Sequence, residues 1–276
     1  VPLTQSSFRS LMESPSRKVR REAFHKFYAQ YEAHANSLAA MLNASVLQDA
    51  YQARVREYQS SLEAALFPDN VPVAVYENLI KTVREGLPVL YRYLELRRRL
   101  LRLDKLHMYD TYVPLVSPQK VKVPYEQAVD WICDALKPLG EQYCRTLRAG
   151  LTQKRWVDRY ENLGKRSGAF SAGGFDGPPY ILMNYRDDTL DSVFTLAHEA
   201  GHSMHTFYSA KHQPFQYYQY EIFVAEVAST FNEQLLNQYL LNQTRDKKVK
   251  AFLINKEIDE IRGTLIRQTM FAAYEK

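Results

Sequence analysis

No stretch of the 276-residue chain runs for about 18 apolar residues without charge, so no membrane-spanning helix is expected. The opening stretch, VPLTQSSFRSLMESPSRKVRREAF, lacks the apolar core of a secretory signal. It also lacks an initiator Met, and the closing MFAAYEK stops inside a helical pattern without a cap. The chain is therefore expected to be a piece of a longer protein, cut at both ends. Glycine is scarce at 10 residues, which argues against a turn-rich β fold and for helices. Cysteine occurs only twice, at Cys133 and Cys144. A disulfide framework needs more, and two unpaired thiols suit a reducing, cytoplasmic setting. On one helix the two would sit roughly 16 Å apart, too far to bridge, although Lys137-Pro138-Leu139-Gly140 can break such a helix. No charge dominates, with 36 Lys+Arg against 31 Asp+Glu. The densest basic run, Arg97-Arg98-Arg99-Leu100-Leu101-Arg102, interleaves leucines at helical spacing and reads as a solvated helix face. No nucleic-acid module accompanies it, so no nucleic-acid partner is expected.

What is present is ordinary for a globular chain: 46% hydrophobic and 24% charged residues, enough for a large core. Residues 16–66 read as a long amphipathic helix broken near Asn36 or Asn43, with Phe24, Phe27, Tyr28 and Tyr31 at helical spacing. Phe67-Pro68-Asp69-Asn70-Val71-Pro72 is a break. Residues 73–103 form a second helical stretch with a kink expected at Gly86 and Pro88, 107–117 read as extended or loop, and 124–150 are helical again. The character changes at Gly164, because half of the glycines fall between Gly164 and Gly177. Tyr180 to Tyr185 follows as a short β-rich run, which suggests a hairpin or small sheet. Asp188-Thr189-Leu190-Asp191 looks like a helix start, and helices are expected over 190–209, 221–241 and 247–275.

The informative segment is His198-Glu199-Ala200-Gly201-His202. The i, i+4 spacing puts both histidines on one helix face, where they can bind one zinc ion. Glu199 lies beside them, within reach of a water on the metal's open side. A catalytic zinc needs a third protein ligand, and the best candidate is Glu226 on the next helix. Its neighbours Val224, Ala225, Val227 and Ala228 suggest buried surroundings, where a carboxylate costs several kcal/mol unless paired or metal-bound. Glu221 and Glu233 compete for the role, and Glu233 is placed to hydrogen-bond a ligand histidine. His205 shares the side of His198 but reads as a core or rim histidine rather than a fourth ligand, and His212 is weaker still. The bland alternative is two surface histidines beside a salt-bridging Glu.

The runs HEAGHSMHTFYS and QPFQYYQYEIFVAEVASTFNE resemble the oligoendopeptidase F branch of the thimet-oligopeptidase family of zinc metallopeptidases. That family's H-E-x-G-H and following-helix Glu are matched by His198, Glu199, Gly201, His202 and Glu226. GKRSGAFSAGGFDGPPYILMNY resembles its Gly-rich loop and substrate-facing strand, and ARVREYQSSLEAALFPDNVP its helical part. The resemblance implies a mainly α, zincin-like helical peptidase catalytic domain with a small β-sheet near residues 168–186. It would be a single incomplete domain, with 1–160 as the helical part and 161–276 as the zinc-binding core. It also implies one Zn2+ per chain, Glu199 as general base, and short peptide substrates. Gly173, Gly174 and Tyr180 are then candidates for substrate contact, with Tyr180–Tyr185 as a strand edge on which a peptide can add. The family completes its site with a His and Tyr cluster expected beyond Lys276, so this piece should bind zinc yet hydrolyse peptides poorly. The rival readings are a zinc-binding but non-catalytic helical protein and a basic nucleic-acid binder. A Gln at 199 would have favoured the first of these.

Overall fold

The helix signals along the chain resolve, in a computed structural model, into twelve α-helices and three short strands among the described residues, which are 3, 5–116 and 122–276. They pack as two compact units, one of Val1–Ser117 with Ile258–Lys276, the other of Pro118–Glu257. The change of character at Gly164 lies inside the second unit. No helix among the described residues is long and apolar enough to cross a membrane.

The first unit opens with α1 (Gln5–Met12), α2 (Arg17–Ala33) and α3 (Ala35–Val55). The expected break falls at His34, two residues before Asn36. The aromatics at helical spacing fall on α2, with Phe27 stacked on Phe8 at 4.0 Å and Phe24 against Tyr109, while Tyr28 and Tyr31 remain partly exposed. Ser60 caps α4 (Ser61–Leu66) by accepting from the Glu63 amide, while the Glu63 carboxylate accepts from the Gln59 amide. Helix α5 (Val73–Leu100) runs through Gly86 and Pro88 without ending. A 3-10 turn, Met108–Asp110, starts the irregular stretch that follows. It presents the fully buried Asp110 to Arg17 and Arg20 at 3.0 and 2.9 Å.

The second unit begins with α6 (Tyr125–Ala135) and α7 (Glu141–Thr152), separated by a turn in which Gly140 takes φ +99°. Both cysteines are free, and the Cys144 thiol donates to the Cys133 carbonyl at 3.6 Å. Gly150 meets Trp156 so closely that a Cβ would lie 2.3 Å from the indole. The sheet comprises β1 (Val157–Asp158), β2 (Phe170–Ala172) and β3 (Tyr180–Leu182) in the order β1-β3-β2. Strand β3 pairs parallel with β1 and antiparallel with β2, with Ile181 opposite both Val157 and Ser171. The expectation of an open edge at Tyr180 is thereby corrected. Both sides of β3 are taken because two residues after α7, carrying no strand signature, pair with it.

Helix α8 (Leu190–His212) starts at Thr189, whose hydroxyl accepts from the Asp191 amide. It buries Val193, Leu196, Ala197, Ala200 and Met204 in one core with Ile132, Ile181 and Leu236. The short α9 (Ile222–Ala225) and α10 (Val227–Gln243) follow, then α11 (Lys247–Ile261). A π-helical turn, Arg262–Ile266, leads into α12 (Arg267–Glu275), which the Tyr76 hydroxyl ties to α5 through the Ala272 carbonyl. The architecture is mainly α with one small sheet, as expected.

Candidate active site

One turn of α8 separates His198 from His202, and their Nε2 atoms stand 3.1 Å apart. Glu226 Oε2 lies 3.4 Å from each of them. A tetrahedral ion with bonds of ~2.0–2.1 Å needs ligand atoms about 3.3 Å apart, so the spacing of the three atoms is one at which they could share a metal ion. Among the described residues these three are the group arranged to share an ion.

Glu226 reaches the histidines by a device that periodicity does not reveal. The helix expected over 221–241 is interrupted at Glu226 itself, which adopts φ −92°, ψ 0° between α9 and α10. The Ser229 hydroxyl donates to Glu226 Oε2 at 2.7 Å, and Thr230 donates to the Glu226 carbonyl at 2.6 Å. The carboxylate is not buried, as its flanking apolar residues had suggested; its side chain is 65% exposed. Val224 and Val227 are exposed rather than set in a core.

Close approach of α8 and α10 sets the spacing. A Cβ on Gly201 would lie 2.6 Å from the Ala228 carbonyl and from the Ser229 Cα. The buried Asn232 amide donates to the Ala197 carbonyl at 3.1 Å, fixing the register one residue before His198. Gly201→Ala is therefore expected to force α10, and Glu226 with it, off α8. Alanine is ordinarily the better helix former by about 1 kcal/mol. Here a loss of about 1–3 kcal/mol should appear in urea unfolding, with weaker zinc retention against a chelator. Unchanged stability and metal affinity would show that the close approach is not needed.

Glu233 Oε2 sits 3.3 Å from His198 Nδ1, which leaves Nε2 free to face a metal. Burial alone would lower the pKa of His198, but this hydrogen bond and nearby carboxylates outweigh it and raise the value. His202 is lowered, chiefly by burial. Glu199 is only 7% exposed, and its Oε2 is buried without a hydrogen-bond partner. Burial raises its pKa first; His198 opposes the shift, and Glu226 and Glu233 add to it. A carboxylate so placed is a ready proton acceptor.

The other sequence candidates divide. His205 stacks on Tyr220 at 3.6 Å and stands outside the ligand group, and His212 lies at the far end of α8 against Tyr208. Gly173 packs tightly on Thr206 and Pro179, whereas Gly174 has open space around it. Tyr180 is exposed and lines a groove of about 640 Å³ with Phe170, Arg155 and Arg159. It alternates with the buried Ile181, so its ring leaves the sheet on the side away from α8. The residue that sequence reasoning passed over is Ser171. Its hydroxyl meets Ser203 on α8 at 2.7 Å and its amide reaches the Glu199 carboxylate, which brings the edge strand β2 beside the site.

These features are those of a metallopeptidase family, and the chain belongs to it: residues 10–276 match the model of Peptidase family M3. The chain is 48% identical to "Oligopeptidase PepF" of Bacillus subtilis over 99% of its own length and 40% of the relative's. A Chlamydophila abortus crystal structure superposes with a TM-score of 0.90 at 40% identity, covering 99% of this chain and 46% of that one. The crystal structure of oligoendopeptidase-F from Enterococcus faecium gives a TM-score of 0.72 at 34% identity, covering 99% and 41%. The chain thus spans less than half the length of these relatives.

Proposed function

We propose that the protein containing this chain is a zinc-dependent endopeptidase acting on short oligopeptides. The observation that carries the reading is the His198, His202 and Glu226 triplet at tetrahedral ligand spacing beside a buried, unpartnered Glu199 oxygen. Two histidines and a glutamate form a donor set that suits catalytic zinc and leaves a fourth position for water or substrate. When bound, zinc supplies Lewis-acid chemistry: it acidifies water and polarises a carbonyl.

The chain's own residues do the rest. Glu199, with its buried unpartnered oxygen, takes the proton of the attacking water and returns it to the leaving amine. Glu233 orients His198, and Ser229 orients Glu226. The open side of β2, with Ser171 next to Glu199, offers main-chain groups on which an extended peptide can add as a further strand. Gly174 leaves that path unobstructed. The unpaired thiols suit a cytoplasmic location.

The test is metal content and turnover in the full-length protein. It should carry one zinc per chain and cleave a fluorogenic oligopeptide. A chelator should abolish cleavage and added zinc restore it. His202→Ala should lose the metal; stoichiometric zinc in that variant would overturn the ligand assignment.

A further inference from the structure

Strand β2 runs alongside α8 in the same direction. Ser171 contacts Ser203, and Gly173 abuts Thr206 almost one turn further on. Past Gly173 and Gly174 the chain reaches Phe175, whose ring packs edge-on against Phe215 at 5.6 Å and Tyr218 at 5.4 Å. Phe215 and Tyr218 stack on each other at 5.9 Å, and they belong to the connection that folds back along α8. The Ser209 hydroxyl holds that connection through the Tyr218 carbonyl, and Tyr220 lies on His205. Despite its two ring contacts, Phe215 is 63% exposed. An open aromatic surface of this kind, continuous with the strand edge that leads from Glu199, marks a place where apolar matter docks.

We propose that Phe175, Phe215 and Tyr218 form a substrate subsite that takes an apolar side chain three to four residues on the N-terminal side of the scissile bond. The proposal rests on the peptidase reading given above. An added strand pairs better antiparallel than parallel, so a peptide on β2 runs opposite to it and points its N-terminal residues toward Phe175. Ser171 stands level with Glu199, and Phe175 lies four residues further on, at a bend past the end of β2, so less than the roughly 13 Å that a fully extended chain would span. A substrate residue that reaches Phe175 is therefore three to four positions at most from one opposite Ser171. Between them Gly174 leaves room for the peptide, since no atom lies within 4 Å of a Cβ built on it. The occupant is an aromatic or branched aliphatic side chain, because three rings offer it contact area and no charge.

The experiment uses the zinc-loaded full-length protein and a peptide series that varies one position at a time between Phe, Leu, Ser and Asp. The expected result is a kcat/KM about tenfold or more higher for Phe or Leu than for Ser or Asp at the third or fourth position upstream. Phe215→Ser should erase that preference by lowering kcat/KM for the Phe and Leu peptides, and Phe215→Leu should keep it. Phe215 is exposed, so these variants should fold. A preference that survives Phe215→Ser, or that sits downstream of the scissile bond, would overturn the subsite. So would a drop in melting temperature without a change in preference, which would mark the rings as packing for other parts of the protein. Absence of any chelator-sensitive cleavage by the wild type would remove the peptidase reading and the subsite together.

Discussion

Glu199→Gln in the full-length protein should leave one zinc per chain in place and reduce kcat/KM by about 10²–10⁴-fold. That is roughly 3–5 kcal/mol of barrier. The separation follows from the geometry. His198, His202 and Glu226 hold the ligand spacing without Glu199, whose unpartnered oxygen is the group the chemistry needs. Gln matches Glu in size and fits the same buried site, but it cannot take a proton. A variant that cleaves at near the wild-type rate would require another base, and one that loses zinc would make Glu199 a ligand.

Much of this site was readable before any coordinates. The i, i+4 histidines fall on a well-capped helix whose apolar positions all find the core, so the local pattern and the tertiary packing agree. Glu233 was found by counting two turns past Glu226. Three things were not readable. The break at Glu226 depends on hydroxyls of Ser229 and Thr230 that donate to its carboxylate and carbonyl, and side-chain bonds of that kind leave no trace in hydrophobic periodicity. The exposure of Glu226 was not readable either, since the apolar Val224 and Val227 beside it are themselves exposed. Strand β1 has two residues, and its pairing with β3 depends on chain 24 positions away, so the edge passed from Tyr180 to Phe170–Ala172. Such long-range pairing lies outside any local window.

The largest expected effect on stability lies away from the site, at Asp110→Asn. Asp110 is fully buried, and its carboxylate accepts from Arg17 and Arg20, while the His107 amide completes the cap. The side chain of Arg17 is 42% exposed and can turn to water, so its pair contributes little. The Arg20 side chain is only 4% exposed, and without its anion it becomes a buried uncompensated charge. Removing one partner of such a pair costs about 3–5 kcal/mol. Urea unfolding followed by circular dichroism should show the loss, and adding Arg20→Met should recover part of it. The pH dependence has a definite sign. Burial by itself would raise the Asp110 pKa, but the hydrogen bonds from Arg17, Arg20 and His107 more than offset it and hold the value below the ordinary 3.8. A depressed carboxylate stabilises the fold fully above its unfolded pKa and stops doing so as pH falls through its folded one. The gap between wild type and Asp110→Asn should therefore be constant from neutral pH down to about 5 and close below about 3.8. A gap that stays open in acid, or one under about 1 kcal/mol at neutral pH, would show that the Arg20–Asp110 pair is not what holds α2 to the turn at Met108–Asp110.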